Sequence, residues 1–241
     1  MRALLVCLAC ASPAFAQDAL PKLGENAFSI TEDTTYLRQA DAPDYWAFSA
    51  FVKPQFTTSA CSIATVTAAL NGIAGLPEAA EDTVLTQEGL LELVGSEEWA
   101  ALSAEGGDGV TFDQLVDFTA KSIAATGLER TLAVFHPEAV TEDTLAEART
   151  MLIMNESTAD NAMMVYYNQG VVTGDWDGPH IALIGAYDAE NDRVLILEVD
   201  QEWYIPYWTP LPVLMEAMVK PTSAEHGVLE GETGGLVMIE S

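Results

Sequence analysis

The sequence predicts an α+β fold, and three observations carry that expectation. Helical periodicities dominate up to about residue 154, three short apolar β-prone runs then succeed one another between residues 162 and 200, and no strand–helix–strand repeat links them. Such an order suits helices packed on a meander-like antiparallel sheet better than a doubly wound parallel one.

The first residues, "MRALLVCLACASPAFAQDALP", place one Arg before an apolar run from Ala3 to Ala11 and end in Ala14-Phe15-Ala16, the layout of a secretory signal at residues 1–16. Cleavage is expected between Ala16 and Gln17, sending the protein to the periplasm or outside the cell. A lipid anchor fits less well, because Cys7 and Cys10 lack well-placed small residues ahead of them. The apolar run is too short to cross a bilayer, and no other segment nears about 18 consecutive apolar residues. The chain beyond the signal is long enough for one large domain or two intimate lobes, so no disulfide or metal staple is needed.

Residues 17–42 read as an N-terminal arm poor in strands. In "DYWAFSAFVKPQF" (44–56), Lys53-Pro54 should stop any helix. Ile63, Val66, Leu70 and Ile73 then recur at three- and four-residue steps, predicting a helix from Cys61 to about Ile73 with one apolar stripe. Thr57, Thr58 and Ser59 offer N-cap oxygens ahead of it. A second helical pattern covers Thr86 to Ser103, a third starts at Thr111 with Gln114 completing a capping box, and a fourth covers Thr141 to Met154. The runs 162–170, 180–188 and 193–200 are the strands. "HGVLEGETGG" reads as a hairpin connection into a last strand, "LVMIES".

Thirty-seven acidic against nine basic residues give a net charge of −28, which would be repelled by nucleic acid and by anionic lipid; neither is an expected partner. Loss of Cys7 and Cys10 with the signal leaves Cys61 alone, so no internal disulfide can form despite an oxidising destination. A lone thiol there is either an inert small hydrophobe or a reactive group. The first turn of a helix favours the reactive thiolate, and on a helical wheel Cys61 falls with Thr65 and Ala68, off the apolar stripe.

A nucleophilic thiol needs a base held by a third group. His136 precedes Pro137 and His226 lies in the Gly-rich tail, so both read as solvated loop residues. His180 instead opens the strand "HIALIGAY". If 187 pairs with 193, His180 falls opposite Asp200 and diagonal to Glu198, and a two-residue slip puts Glu198 directly opposite; both acids share its face. Gln55, six residues before Cys61, suits a side-chain oxyanion donor beside the Cys61 backbone amide.

Several ordered motifs resemble the phytochelatin synthase family, a papain-like clan of Cys-His-Asp enzymes. They are "FVKPQFTTSACSIATVTAALNGI", "GDGVTFDQLVDF", "MMVYYNQGVVTGDWDGPHIALIGAYDAENDRVLILEV", "WYIPYWTPLPVLMEAM" and "GGLVMIES", together spanning a catalytic domain over residues 43–241. The resemblance implies a papain-like cysteine peptidase fold, with a helical lobe carrying the Cys followed by an antiparallel sheet carrying the His and acid. It makes Cys61 the nucleophile, His180 the general base and Gln55 part of the oxyanion hole. The family's aspartate falls at Glu198, one methylene longer, with Asp200 the alternative acid. An arginine that helps hold the substrate's γ-glutamyl carboxylate becomes Gln201, and the family's Cys-Gly becomes Cys61-Ser62. Gln201, Ser62 and Tyr204 are the substrate-binding candidates. The run "WYIPYW" is expected to pack on the helix after it, or else Trp203 or Tyr204 lines the acyl site.

The implied substrate is glutathione, cleaved at its Cys-Gly bond through a γ-glutamylcysteinyl enzyme, mainly by hydrolysis as in short bacterial forms. No cofactor is required and no metal ligand set is expected, although cadmium or zinc could act as a metal–glutathione complex. A homodimer is compatible with this picture. Two rival expectations are a non-catalytic module binding γ-glutamyl peptides or metal–thiol complexes on the same fold, and a papain-like peptidase with another peptide substrate.

Overall fold

The computed structural model describes residues 21–241, so the expected secretory signal lies outside the described residues. Among the described residues no helix is long and apolar enough to cross a membrane. The centre is one seven-stranded sheet, antiparallel at every pairing, built from β1 (Phe28–Ser29), β2 (Thr131–Phe135), β3 (Ala162–Asn168), β4 (Pro179–Asp188), β5 (Arg193–Leu197), β6 (Tyr207–Pro210) and β7 (Gly235–Glu240). Its spatial order is β1-β6-β5-β4-β3-β7-β2. The expected meander is β3 to β5, and β6 continues it.

Helices cover both faces, which is why β3 reads as an unbroken apolar run. Ala162, Met164 and Tyr166 face one core, with α1 (Thr35–Gln39), α2 (Pro43–Phe48), α3 (Cys61–Ala74), α4 (Gln87–Val94), α5 (Glu97–Leu102) and α6 (Phe112–Thr126). Met163, Val165 and Tyr167 face the other, with α7 (Glu142–Glu156), α8 (Gln169–Thr173) and α9 (Leu211–Val219). The mixed α+β architecture expected from the sequence is therefore present.

Helix α3 is the central element. The sequence suggested one apolar stripe, but every residue from Ser62 to Asn71 is buried. Small side chains make this feasible by letting neighbours approach: a Cβ at Gly72 would sit 1.8 Å from the Phe48 ring. Thr65, placed by the helical wheel away from the core, instead donates its hydroxyl to the Ile181 carbonyl at 3.1 Å. That bond satisfies a buried hydroxyl and seats the N-terminal half of α3 against the start of β4.

The expected cap on α3 is absent. Ala60 is the N-cap residue, with no side-chain bond to the helix. The three hydroxyls tie the preceding loop to residues 103–107 instead: Thr57 Oγ1 donates to Ser103 O at 2.6 Å, Thr58 Oγ1 to Glu105 Oε1 at 3.1 Å and Ser59 Oγ to Gly107 O at 2.6 Å. Elsewhere capping agrees with the sequence. Thr111 and Gln114 form the capping box of α6, and Thr141 caps α7. The single pattern from Thr86 to Ser103 becomes two helices because Gly95 turns left-handed at φ 65° and Ser96 caps afresh.

Two departures concern connections. The Gly-rich tail is not a hairpin loop: after α9 it forms a kinked 3₁₀ stretch, Ala224–Leu229, and delivers β7 between β3 and β2. The β4–β5 turn is one residue tighter in register than expected, since Tyr187 pairs with Val194 and Asp188 with Arg193. Continued, that register would turn Glu198 to the opposite face from His180. A bulge at Gly185 restores the pairing Leu183 with Leu197, and with it the shared face.

Gly185 has no room for a side chain, because its Cβ would lie 2.5 Å from Leu197 Cγ. Gly185→Val is expected to cost about 1–3 kcal/mol of stability through overpacking. Urea unfolding checks it, and an unchanged midpoint would mean that the bulge tolerates a side chain.

Candidate functional site

Cys61 is the first residue of α3 and the one cysteine among the described residues, half-buried and unpaired. It opens into two cavities. One, of about 360 Å³, is shared with Gln55, Gln169, His180, Asp200 and Tyr204 among others. The other, of about 350 Å³, runs past Thr58, Gly107, Tyr166 and His226. His226 is thus not simply a solvated tail residue: its Nε2 lies 2.7 Å from Asp177 O, and its ring meets Trp176 edge-on.

His180 is 4% exposed, at the start of β4 opposite Tyr167. Its Nε2 lies 2.6 Å from Glu198 Oε1. Glu198 is fully buried, and although burial alone would raise its pKa, the His180 charge and hydrogen bonds from His180 and backbone amides pull it below the ordinary carboxylate value. Nε2 therefore donates to a carboxylate. Burial opposes a charged imidazole, but the Glu198 charge and hydrogen bonding to Cys61 and Glu198 prevail and raise the His180 pKa to about 10. With Nε2 taken, Nδ1 is the nitrogen left for Cys61.

The extra methylene of Glu198 is accommodated because β5 ends at Leu197, so the chain has left the ladder when the acid is reached. Glu198 then meets three donors: His180, Gln169 Nε2 at 3.0 Å to Oε2, and the Asp200 amide at 2.8 Å to Oε1. Asp200 contributes its backbone to Glu198 rather than its side chain to His180. Its carboxyl is partly exposed in the cavity and raised in pKa, chiefly by desolvation.

Gln55 is brought beside Cys61 because its backbone N–H donates to Val199 O at 2.8 Å, next to Glu198. Its Nε2 makes only a long 3.4 Å contact to Thr58 O, and its Oε1 is buried without a partner. A weakly engaged amide donor can turn to a developing negative charge. The uncapped amides at the start of α3 face the same need, since helix N-termini attract anions.

Of the three substrate-binding candidates, Tyr204 lines the cavity, with its hydroxyl donating to Asp175 Oδ2 at 3.0 Å. Trp203 lines it too, whereas Tyr207 packs in the core that holds α9, as expected of the run "WYIPYW", and Trp208 is buried in the other core. Ser62 does not reach the cavity. It is 1% exposed and accepts a 2.9 Å bond from Trp99 Nε1. Gln201 turns back on the chain, donating to Glu198 O at 3.0 Å, and lines a neighbouring cavity.

Sequence reasoning missed Gln169, Asp175 and Lys22, all of which line the Cys61–His180 cavity. Gln169 carried one usable signal, a polar residue directly after a buried strand; the other two carried none. Among the described residues no three His, Cys, Asp or Glu side chains are grouped to hold a metal ion.

The model of the phytochelatin synthase family matches residues 16–226. Among curated proteins, glutathione gamma-glutamylcysteinyltransferase 3 of Lotus japonicus is 38% identical over 77 residues, covering 32% of this chain and 16% of that protein. Glutathione gamma-glutamylcysteinyltransferase 1 of Arabidopsis thaliana is 36% identical over 77 residues, with the same coverage of 32% and 16%. Glutathione gamma-glutamylcysteinyltransferase 2 of Arabidopsis thaliana is 43% identical over 63 residues, covering 26% of this chain and 14% of that protein. The chain thus spans less than a fifth of the length of these relatives. With a family match that runs over most of its length, the chain belongs to the phytochelatin synthase family.

Proposed function

We propose that this protein is a thiol acyltransferase of papain-like type that cleaves the Cys-Gly bond of glutathione, or of a related γ-glutamyl peptide, mainly by hydrolysis. One observation carries the proposal: Cys61 and a histidine anchored on a buried carboxylate share a cavity with a weakly engaged amide donor. Family membership and the names of the relatives support glutathione as substrate.

In this reading Cys61 Sγ, as thiolate, attacks the carbonyl carbon of the Cys-Gly peptide. Negative charge collects on the carbonyl oxygen, and Gln55 Nε2 and the Cys61 amide would donate to it. As the tetrahedral species collapses, the His180 imidazolium gives its proton to the departing glycine nitrogen. A γ-glutamylcysteinyl thioester remains on Cys61. His180, now neutral, takes a proton from water, the hydroxide adds to the thioester carbonyl, and γ-glutamylcysteine leaves as the thiolate returns. The amine of a second glutathione in place of water would extend the peptide. Cadmium or zinc would enter as a metal–thiolate form of the substrate. Export through the N-terminal signal would place the reaction in the periplasm or outside the cell.

Cys61→Ala is expected to abolish glycine release from glutathione in a chromatographic amine assay; retained turnover rejects the mechanism. Incubated wild-type protein should gain a γ-glutamylcysteinyl mass that reductant does not remove, whereas a reducible glutathione mass would be a mixed disulfide.

Burial opposes the charged imidazole, and the Glu198 charge is the largest of the influences that raise the His180 pKa to about 10, with Cys61 adding to it. Glu198→Gln removes that charge, so the alkaline limb of the kcat/KM profile should move to lower pH. Its kcat should fall about 10²–10⁴-fold, the scale of acid–base catalysis. An unmoved alkaline limb contradicts the assignment. Folding raises the His180 pKa and lowers that of Glu198, so the pair stabilises most between the ordinary carboxylate and imidazole ranges. Its contribution declines as pH climbs to about 10 and as pH drops through the folded Glu198 value. Urea midpoints measured across pH should flatten over those windows in Glu198→Gln.

A further inference from the structure

A cation stands in the Cys61–His180 cavity, and it comes from the N-terminal arm. Lys22 is the one basic side chain other than His180 among the described residues lining it. Its Nζ donates to Asp175 Oδ2 at 2.6 Å and lies 4.8 Å and 4.5 Å from the ring centres of Trp203 and Tyr204. Asp175 is fixed from the other side by the Tyr204 hydroxyl at 3.0 Å. The ammonium is thus held in place by a carboxylate and two aromatic faces while remaining partly open to solvent.

The arm is docked where it needs to be for this. Gly24 N–H donates to Thr173 O at 2.7 Å, at the end of α8, and a Cβ at Gly24 would lie 2.8 Å from that same oxygen. Only glycine allows so close an approach, and two residues earlier the chain presents Lys22 to Asp175. The cavity also holds Asp200, whose carboxyl feels the Lys22 charge. One cation and two acids lining the same cavity are the complement of an α-amino acid head group, which carries a carboxylate beside an ammonium.

We propose that Lys22, Asp175 and Asp200 form the recognition site for the free α-amino acid end of the substrate, its α-carboxylate on the Lys22 ammonium and its α-ammonium on the two aspartates. This rests on the reaction proposed above, and it names what selects a γ-linked glutamyl peptide: an α-linked one has no such zwitterionic end. In a chain of net charge −28 the fixed cation also gives an anionic tripeptide a local point of attraction.

The test compares wild type, Lys22→Met and Lys22→Arg on glutathione, on its glutamyl α-carboxamide and on its glycyl carboxamide, by glycine or glycinamide release. Lys22→Met should raise KM for glutathione about tenfold with kcat little changed, and Lys22→Arg should restore most of it. The α-carboxamide should cost wild type a similar factor and cost Lys22→Met nothing further. An unchanged KM, an equal penalty on the α-carboxamide, or a loss confined to the glycyl carboxamide overturns the assignment. A lysine serving only to hold the arm would shift all three substrates alike. Absence of glycine release by wild type overturns the reaction instead. Lys22 is then judged by calorimetry of glutathione on Cys61→Ala protein with and without Lys22→Met, where equal affinity or no binding to either overturns its role.

Discussion

A carboxylate with no exposure to water, Glu198, is the constraint around which the site is arranged. An ion taken out of water costs several kcal/mol unless donors surround it. Here they arrive from three separate elements: the imidazole from β4, the amide of Gln169 from the start of α8, and the backbone N–H of Asp200 just past β5. Each is placed by something else that must be right. The imidazole depends on the bulge at Gly185 for its face, and Gln169 depends on β3 ending at Asn168. Met together, these demands leave the ring of His180 with little freedom.

Much of this was legible in the chain. Helix α3, the capping box of α6 and the three consecutive strands follow from periodicity and cap residues, which are local signals. Cys61, His180 and the pair Glu198 and Asp200 were legible because a lone thiol, a strand-opening histidine and acids at the end of an apolar strand are each out of place unless they serve one another. Choosing between the two acids was not possible from sequence. That choice turns on a single-residue bulge and on where β5 leaves the ladder, neither of which alternation of apolar residues records.

Other features escaped because they are long-range. The two-residue β1 and the four-residue β6 pair with each other at one edge of the sheet, from distant parts of the chain, and neither carries enough residues to show a period. The hydroxyls of Thr57, Thr58 and Ser59 looked like caps, since the local chemistry for capping is present. Tertiary partners at residues 103–107 claim them instead, so the start of α3 keeps its amides free. A lysine in a polar arm has no local feature to set it apart, and Lys22 becomes distinctive only once Gly24 has brought it to Asp175.

The docking of Gly24 on Thr173 also bears on how the molecule is made. Lys22 and Asp175 are 153 positions apart, and Thr65 and Ile181 are 116 apart, so the cavity closes through contacts of high sequence separation. Loops of that length are entropically expensive to close, and folds that depend on them form late and slowly. A chain threaded from its N-terminus presents the thiol of Cys61 well before β4 and β5 exist to give it an imidazole. Until then Cys61 has no imidazole beside it, and the cavity that it shares with His180 is postponed to the closing stage of folding.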